Sequence, residues 1–313
     1  MNHFPPKLKL PSSIKETRVQ RERSLLLSAS YGIAIRFGIV LFELLGVWLF
    51  GSVALLLDAV ASLVDVGSSL ILLFFIKLAN RPPDSNHPFG HGRYEPLIGL
   101  QLALMLVIIG FYAGIKQIFE VAEISEPHEM DARAFLFPLA AMFLLEVCYR
   151  ILSKTAKTQA STALAADALH YRVDAVTSLF ASIALTLAAI VPDWGQLADH
   201  VGAIAISCFM IITGFFSAKE NMNQLLDHKP DKAYFDRVKK AAHLVEGVLG
   251  IEKLRIQFYG PDAHVDIDVE VEPTLSVEVA HEISQKVRLE IQKEWPMVRD
   301  VIVHIEPYYP NDH

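Results

Sequence analysis

Cysteine is nearly missing from this 313-residue chain: Cys148 and Cys208 are the only two. Both fall inside apolar runs, so no disulfide framework is possible beyond that one pair, and no CxxC zinc motif exists. Positive charge is also in short supply. Lys and Arg total 28 against 35 Asp and Glu, a formal net charge of −7. Nucleic acid is excluded as a partner, because phosphate binding needs a basic face. The HExxH pattern of zinc hydrolases is absent, which argues against an enzyme. The first 23 residues are basic and polar, without an apolar core or a small-residue cleavage site, and do not read as a cleaved signal peptide.

What the chain has in excess is apolar side chains, at 52%. They are concentrated between about 28 and 216, while the remainder has the charge content of an ordinary soluble segment. Six stretches are long enough to cross a hydrocarbon layer of roughly 30 Å: 28–50, 53–77, 96–121, 134–152, 163–191 and 201–216. Lys7, Lys9, Lys15, Arg18, Arg21 and Arg23 precede the first. Arg81 and Arg93 lie between the second and third, Lys154 and Lys157 between the fourth and fifth. The intervening loops, Gly51-Ser52, the acidic stretch 120–131 and 193–200, lack such a cluster. By the positive-inside bias, both termini belong in the cytoplasm.

From Asp231 onward the periodicity changes. Residues 231–246 read as an amphipathic helix and 251–258 as a strand. Residues 264–272 alternate without error between apolar and polar, as a half-buried strand does. A second helix over 276–295 and a last strand over 300–305 complete an α+β unit with helices on one face of its sheet.

Three groups of residues carry the chemistry. Residues 58–65 (Asp-Ala-Val-Ala-Ser-Leu-Val-Asp) and 167–174 (Asp-Ala-Leu-His-Tyr-Arg-Val-Asp) put ionisable groups inside runs apolar enough to span a bilayer, where such groups mark an ion or proton path. His170 and Asp174 stand one helical turn apart and point the same way; Asp65 can join them from a neighbouring helix. One imidazole with two carboxylates suits zinc, ferrous iron, manganese, cobalt or nickel, and the missing thiolate disfavours cuprous copper. The same carboxylates take protons when an ion leaves, which gives metal–proton exchange a physical basis. The bland alternative is that they pair with polar groups between helices. The second group is Asp84, His87 and His91, in a loop tightened by Pro88 and Gly90; it is either a metal site or a polar turn. Arg36 and Glu43 lie two turns apart in the first span, and Glu146 lies in the fourth. An interhelical Arg36–carboxylate pair is preferred for these over a proton relay. Both cysteines read as small buried residues.

With these residues in place, the chain resembles the cation diffusion facilitator family of divalent-metal efflux transporters. The likeness rests on the paired aspartate signatures, the loop His-Pro-Phe-Gly-His-Gly-Arg at 87–93, and the element order of the tail. It implies a mostly α membrane protein, a six-helix transmembrane bundle followed by a small cytoplasmic α+β domain (ferredoxin-like, αββαβ). The divisions would be a tail over 1–27, the bundle over 28–220, and a metal-sensing and dimerisation domain over 221–313. It implies a transport site of Asp65, His170 and Asp174, a cytoplasmic loop site of Asp84, His87 and His91, and a tail site of Asp268, His281, His304 and Glu306. Glu252 sits where some relatives have histidine, and Arg93 with Asp227 resembles a charge pair joining membrane and tail domains. The implied activity is secondary export of a divalent cation (Zn²⁺, Fe²⁺, Mn²⁺ or Co²⁺, as substrate and regulator) from the cytoplasm in exchange for protons. A homodimer in a bilayer, such as a bacterial inner membrane, would carry it out. One departure stands out: relatives usually place a fourth ligand four residues before the second-span aspartate, and here that position is Ala61. The alternative reading follows from it, a poorly transporting metal-sensing or scaffolding partner.

Overall fold

In the computed structural model, the described residues are 11–50, 53–120, 136–190 and 192–310. The expected loops at 51–52 and across 121–135 lie outside them. The protein is mostly helical, with a membrane domain and a small C-terminal α+β domain. It divides into two compact units: Ser24–Arg81 with Tyr94–Met222, and Met1–Arg23 with Pro82–Arg93 and Asn223–His313.

Among the described residues, six long helices supply most of the first unit: α1 (Ser12–Phe50), α2 (Val53–Ala79), α3 (Tyr94–Glu120), α4 (Leu136–Thr158), α5 (Thr162–Ile190) and α6 (Pro192–Leu225). Among the described residues, α1, α3 and α4 each contain a stretch long and apolar enough to cross a membrane. Two boundaries differ from the expected ones. α1 begins at Ser12, so the latter part of the polar leading segment is already helical. Residues 193–200, read as a loop, form the start of α6. Pro192 explains the second difference: at the first helical position its missing N–H is no loss and its fixed φ suits the helix.

α5 is the central helix of this unit, packing against α2, α3 and, most extensively, α4. The α4–α5 turn is short because Ala160 takes a left-handed φ of 49°, which ends α4. Ser161 then caps α5, its Oγ accepting the Leu164 N–H at 3.2 Å. Leu25, Leu72, Ile76, Ile98, Leu152, Leu164 and Tyr171 close the core. On α3 and α6 small residues permit close approach: a Cβ at Gly110 would meet Met210 at 3.0 Å, and one at Gly214 would meet Val107 at 2.8 Å. Phe111, Tyr112, Phe143, Phe215 and Phe216 are exposed on the outside, a surface suited to hydrocarbon and ill suited to water. Cys148 is buried as expected, whereas Cys208 is exposed, on the outer side of α6.

The second unit holds the expected αββαβ order: α7 (Lys232–His243), β1 (Gly250–Tyr259), β2 (Asp262–Val271), α8 (Val277–Glu294) and β3 (Val298–Pro307). Asp231 and Ser276 cap the two helices, accepting N–H groups of Ala233 and Val279. The sheet order is β1-β2-β3, antiparallel then parallel. Gly260, at φ 58°, supplies the positive φ that the two-residue β1–β2 turn needs. The alternation of β2 is realised: Val265, Ile267, Val269 and Val271 are buried against Val238, Ile283, Val287 and Ile291. His264, Asp266, Asp268 and Glu270 therefore share the opposite face of the strand.

Candidate metal centre

In the helical unit, the α2–α5 contact brings the intramembrane residues together. Asp65 and Ser69 lie one turn apart on α2, and Asp167, His170 and Asp174 follow one another down one side of α5. His170 Nε2 is 3.0 Å from Asp65 Oδ1, and the buried Ser69 hydroxyl donates to Asp167 Oδ1 at 3.1 Å. One donor atom each from Asp65, His170 and Asp174 lies within 4.8 Å of the others. That is the span of a coordination shell around a single divalent ion.

Arg36 belongs to the same cluster. An interhelical Arg36–carboxylate pair was expected, but the carboxylates are those of the triad itself. The guanidinium reaches Asp65 Oδ2 at 2.9 Å and makes an ion pair with Asp174. It is 2% exposed and lies over the Tyr171 ring, 4.1 Å from the centroid. Gly32 leaves room for that ring, since a Cβ there would stand 2.9 Å from the Tyr171 hydroxyl. Glu146 instead takes Arg150, at 2.8 Å, and Arg172, with Arg172 over Tyr149. The side chains of Glu43, Asp58 and Ala61 lie outside the described ones; position 61 stands one turn before Asp65 along α2.

The loop residues also converge. Asp84 Oδ1 accepts the N–H groups of His87 at 2.7 Å and Asn86 at 2.9 Å. These backbone donors, that of His87 first, hold the Asp84 carboxyl below the usual carboxylate range. The ring nitrogens of His87 and His91 each lie 3.5 Å from Asp84 oxygens, and Gly90, at φ 89°, turns the chain between them. The three offer one compact donor group. In the same unit, Arg93 donates to both oxygens of Asp227 at 2.9 and 3.1 Å and lies over the Tyr259 ring. Phe89 packs on Tyr259 and His264. Gly92 lies so close to the Tyr259 backbone carbonyl that a Cβ would overlap it. Gly92→Ala is therefore expected to lower the stability of this unit by about 1–3 kcal/mol, seen as a lower melting temperature of the full chain.

On the sheet, register pairs Asp268 of β2 with His304 of β3. His304 Nδ1 lies 3.0 Å from Glu306 Oε1 and 3.7 Å from Asp268 Oδ1, a third donor group. Glu252 hydrogen-bonds Glu306 and, with the neighbouring negative charges, raises the Glu306 carboxyl above its ordinary value. His281, expected here, stands on α8 outside this group, its Nε2 3.4 Å from Gln285 Nε2.

Two family models agree with this architecture. The family described as "Cation efflux transmembrane domain" matches residues 29–226, and "Cation efflux protein, cytoplasmic domain" matches 230–308. Manganese efflux system protein MneP of Bacillus subtilis is 26% identical over 288 residues, 91% of this chain and 95% of that protein. Cation-efflux pump FieF of Escherichia coli is 28% identical over 273 residues, 86% and 88% of the two chains. Metal tolerance protein C1 of Arabidopsis thaliana is 27% identical over 292 residues, 89% of this chain but 61% of that longer protein. A solved C-terminal domain of MamM is 31% identical, covering 25% of this chain and 98% of its own, with a TM-score of 0.25.

A helical membrane unit carrying an acid–imidazole cluster, joined to a small α+β domain, defines an integral membrane ion carrier. The chain belongs to the cation diffusion facilitator family of metal cation efflux transporters.

Proposed function

We propose that this protein exports a divalent transition metal from the cytoplasm in exchange for protons. The observation that carries the reading is the triad: Asp65, His170 and Asp174 bring three donor atoms within 4.8 Å in the membrane unit. Two carboxylates offset the dehydration of a doubly charged ion, and the same oxygens accept protons once it departs. The substrate class is Zn²⁺, Fe²⁺, Mn²⁺ or Co²⁺, since oxygen and nitrogen donors serve all four. The names of MneP and FieF, a manganese efflux system and a cation-efflux pump, fit that class.

The working unit in this reading is a homodimer with six spans per chain and both termini in the cytoplasm, in a bacterial inner membrane. The divisions are a tail over 1–27, the bundle over 28–220 and the dimerising domain over 221–313. Asp84, His87 and His91 form an auxiliary cytoplasmic site. Asp268, His304 and Glu306, with Glu252 beside them, form a regulatory one where a cation would relieve the crowding of like charge.

A second reading is favoured by Ala61 and by the ion pairs of Arg36: a metal-sensing or scaffolding partner that keeps the fold without efficient transport. Purified protein in liposomes, loaded with a metal-sensitive dye and given a proton gradient, separates the two. Flux of at least one of Zn²⁺, Fe²⁺, Mn²⁺, Co²⁺, Ni²⁺ or Cd²⁺ is expected. Absence of flux for all six rejects transport and leaves the scaffold.

A further inference from the structure

The triad carries more than a ligand set, because a cation of the protein's own already sits on it. We infer that Arg36 is a tethered competitor for the transport site, which an incoming divalent ion must displace from Asp65 and Asp174. The inference rests on the proposed transport reading and deepens it by naming what governs ion affinity.

The geometry carries the argument. Arg36 engages one oxygen of Asp65 at 2.9 Å and also pairs with Asp174, while the other Asp65 oxygen faces His170 at 3.0 Å. Every member of the triad is thus committed before an ion arrives. A metal bound by these three side chains competes with Arg36 for the charge of Asp65 and Asp174 and with the His170–Asp65 contact, and would lie within a few ångströms of a fixed positive charge. Arginine cannot shed its proton to relieve that repulsion; it can only move. The guanidinium is 2% exposed and stacked on Tyr171, so water cannot screen it.

The charges of the triad and Arg36 favour one cation at a time. With Arg36 in place, two carboxylates and one guanidinium leave a single negative charge; with a divalent ion in its stead, two carboxylates are neutralised. Set against the two triad carboxylates alone, an ion and Arg36 together would leave one excess positive charge in a low-dielectric site. Ala61 fits this scheme, since no fourth donor is there to outweigh the competitor.

The test is calorimetric titration of the full chain in detergent with Mn²⁺, Zn²⁺ or Cd²⁺. Asp65→Ala in each background isolates the component due to the triad from the loop and sheet groups. Arg36→Gln is expected to tighten that component by about 10-fold or more, the effect of removing one neighbouring charge. Arg36→Lys, which keeps the charge but not the two-pronged grip, should fall between. A folded Arg36→Gln protein that binds at wild-type affinity or more weakly overturns the inference. If Arg36→Gln does not fold, Arg36→Lys decides by the same criterion. Asp65-dependent binding in the wild type without tightening defeats only the role of Arg36; no Asp65-dependent binding in any background defeats the transport site as well.

Discussion

Asp174→Ala is expected to abolish metal flux in liposomes. In the proposed site Asp174 is one of three donors to a doubly charged ion, and one of two carboxylates that neutralise it. Its loss leaves one acid and one imidazole, too few to replace a hydration shell. It also leaves Arg36 paired with Asp65 alone. Removing one partner of a buried ion pair destabilises by about 3–5 kcal/mol, so part of the loss could come from misfolding. Asp174→Asn separates the effects, since it keeps the shape and hydrogen bonding and removes only the charge. Both variants are compared with wild type by melting temperature and by initial flux. Wild-type flux from a folded Asp174→Ala protein would remove Asp174 from the site.

The second large effect is a gain. Ala61→Asp is expected to raise zinc and cadmium affinity by about 10- to 1000-fold, the influence of an opposite charge a few ångströms from the ion. Position 61 precedes Asp65 by four residues on α2, about 6 Å along the axis, so a carboxylate there faces the same side of the helix. It would complete a four-donor shell and help displace Arg36. Titration measures the affinity, and liposome flux tells whether the wild type was inactive or only weak. A large gain from an inactive parent supports the scaffold reading; an active parent rejects it. Unchanged affinity in a folded Ala61→Asp protein would mean that position 61 does not face the ion.

Much of this site was legible because it is local. The three-residue gap between His170 and Asp174 sets one helix face, whatever surrounds it. The unbroken alternation of 264–272 likewise defined β2; Asp268, His304 and Glu306 came from the family resemblance, and strand pairing sets Asp268 beside His304. What stayed hidden depends on neighbours. Arg36 lies 29 positions before Asp65 and 138 before Asp174, and no periodicity says which acid on another helix it meets. An odd positive charge inside the first span was the available signal; Glu43 in the same span and Glu146 in the fourth diverted it. His281 shows the reverse failure: a plausible ligand by type, it sits on a helix outside the strand-borne group. Residues 193–200 read as a loop, although Pro192 opens a helix there.

The loop at 82–93 belongs to the same compact body as the sheet, anchored by Arg93 on Asp227 and by Phe89 against Tyr259. An ion captured by Asp84, His87 and His91 would therefore pull on the soluble body directly. The sheet cluster around His304 belongs to that body too. Should both proposed sites take up metal, each would do so within a single compact body.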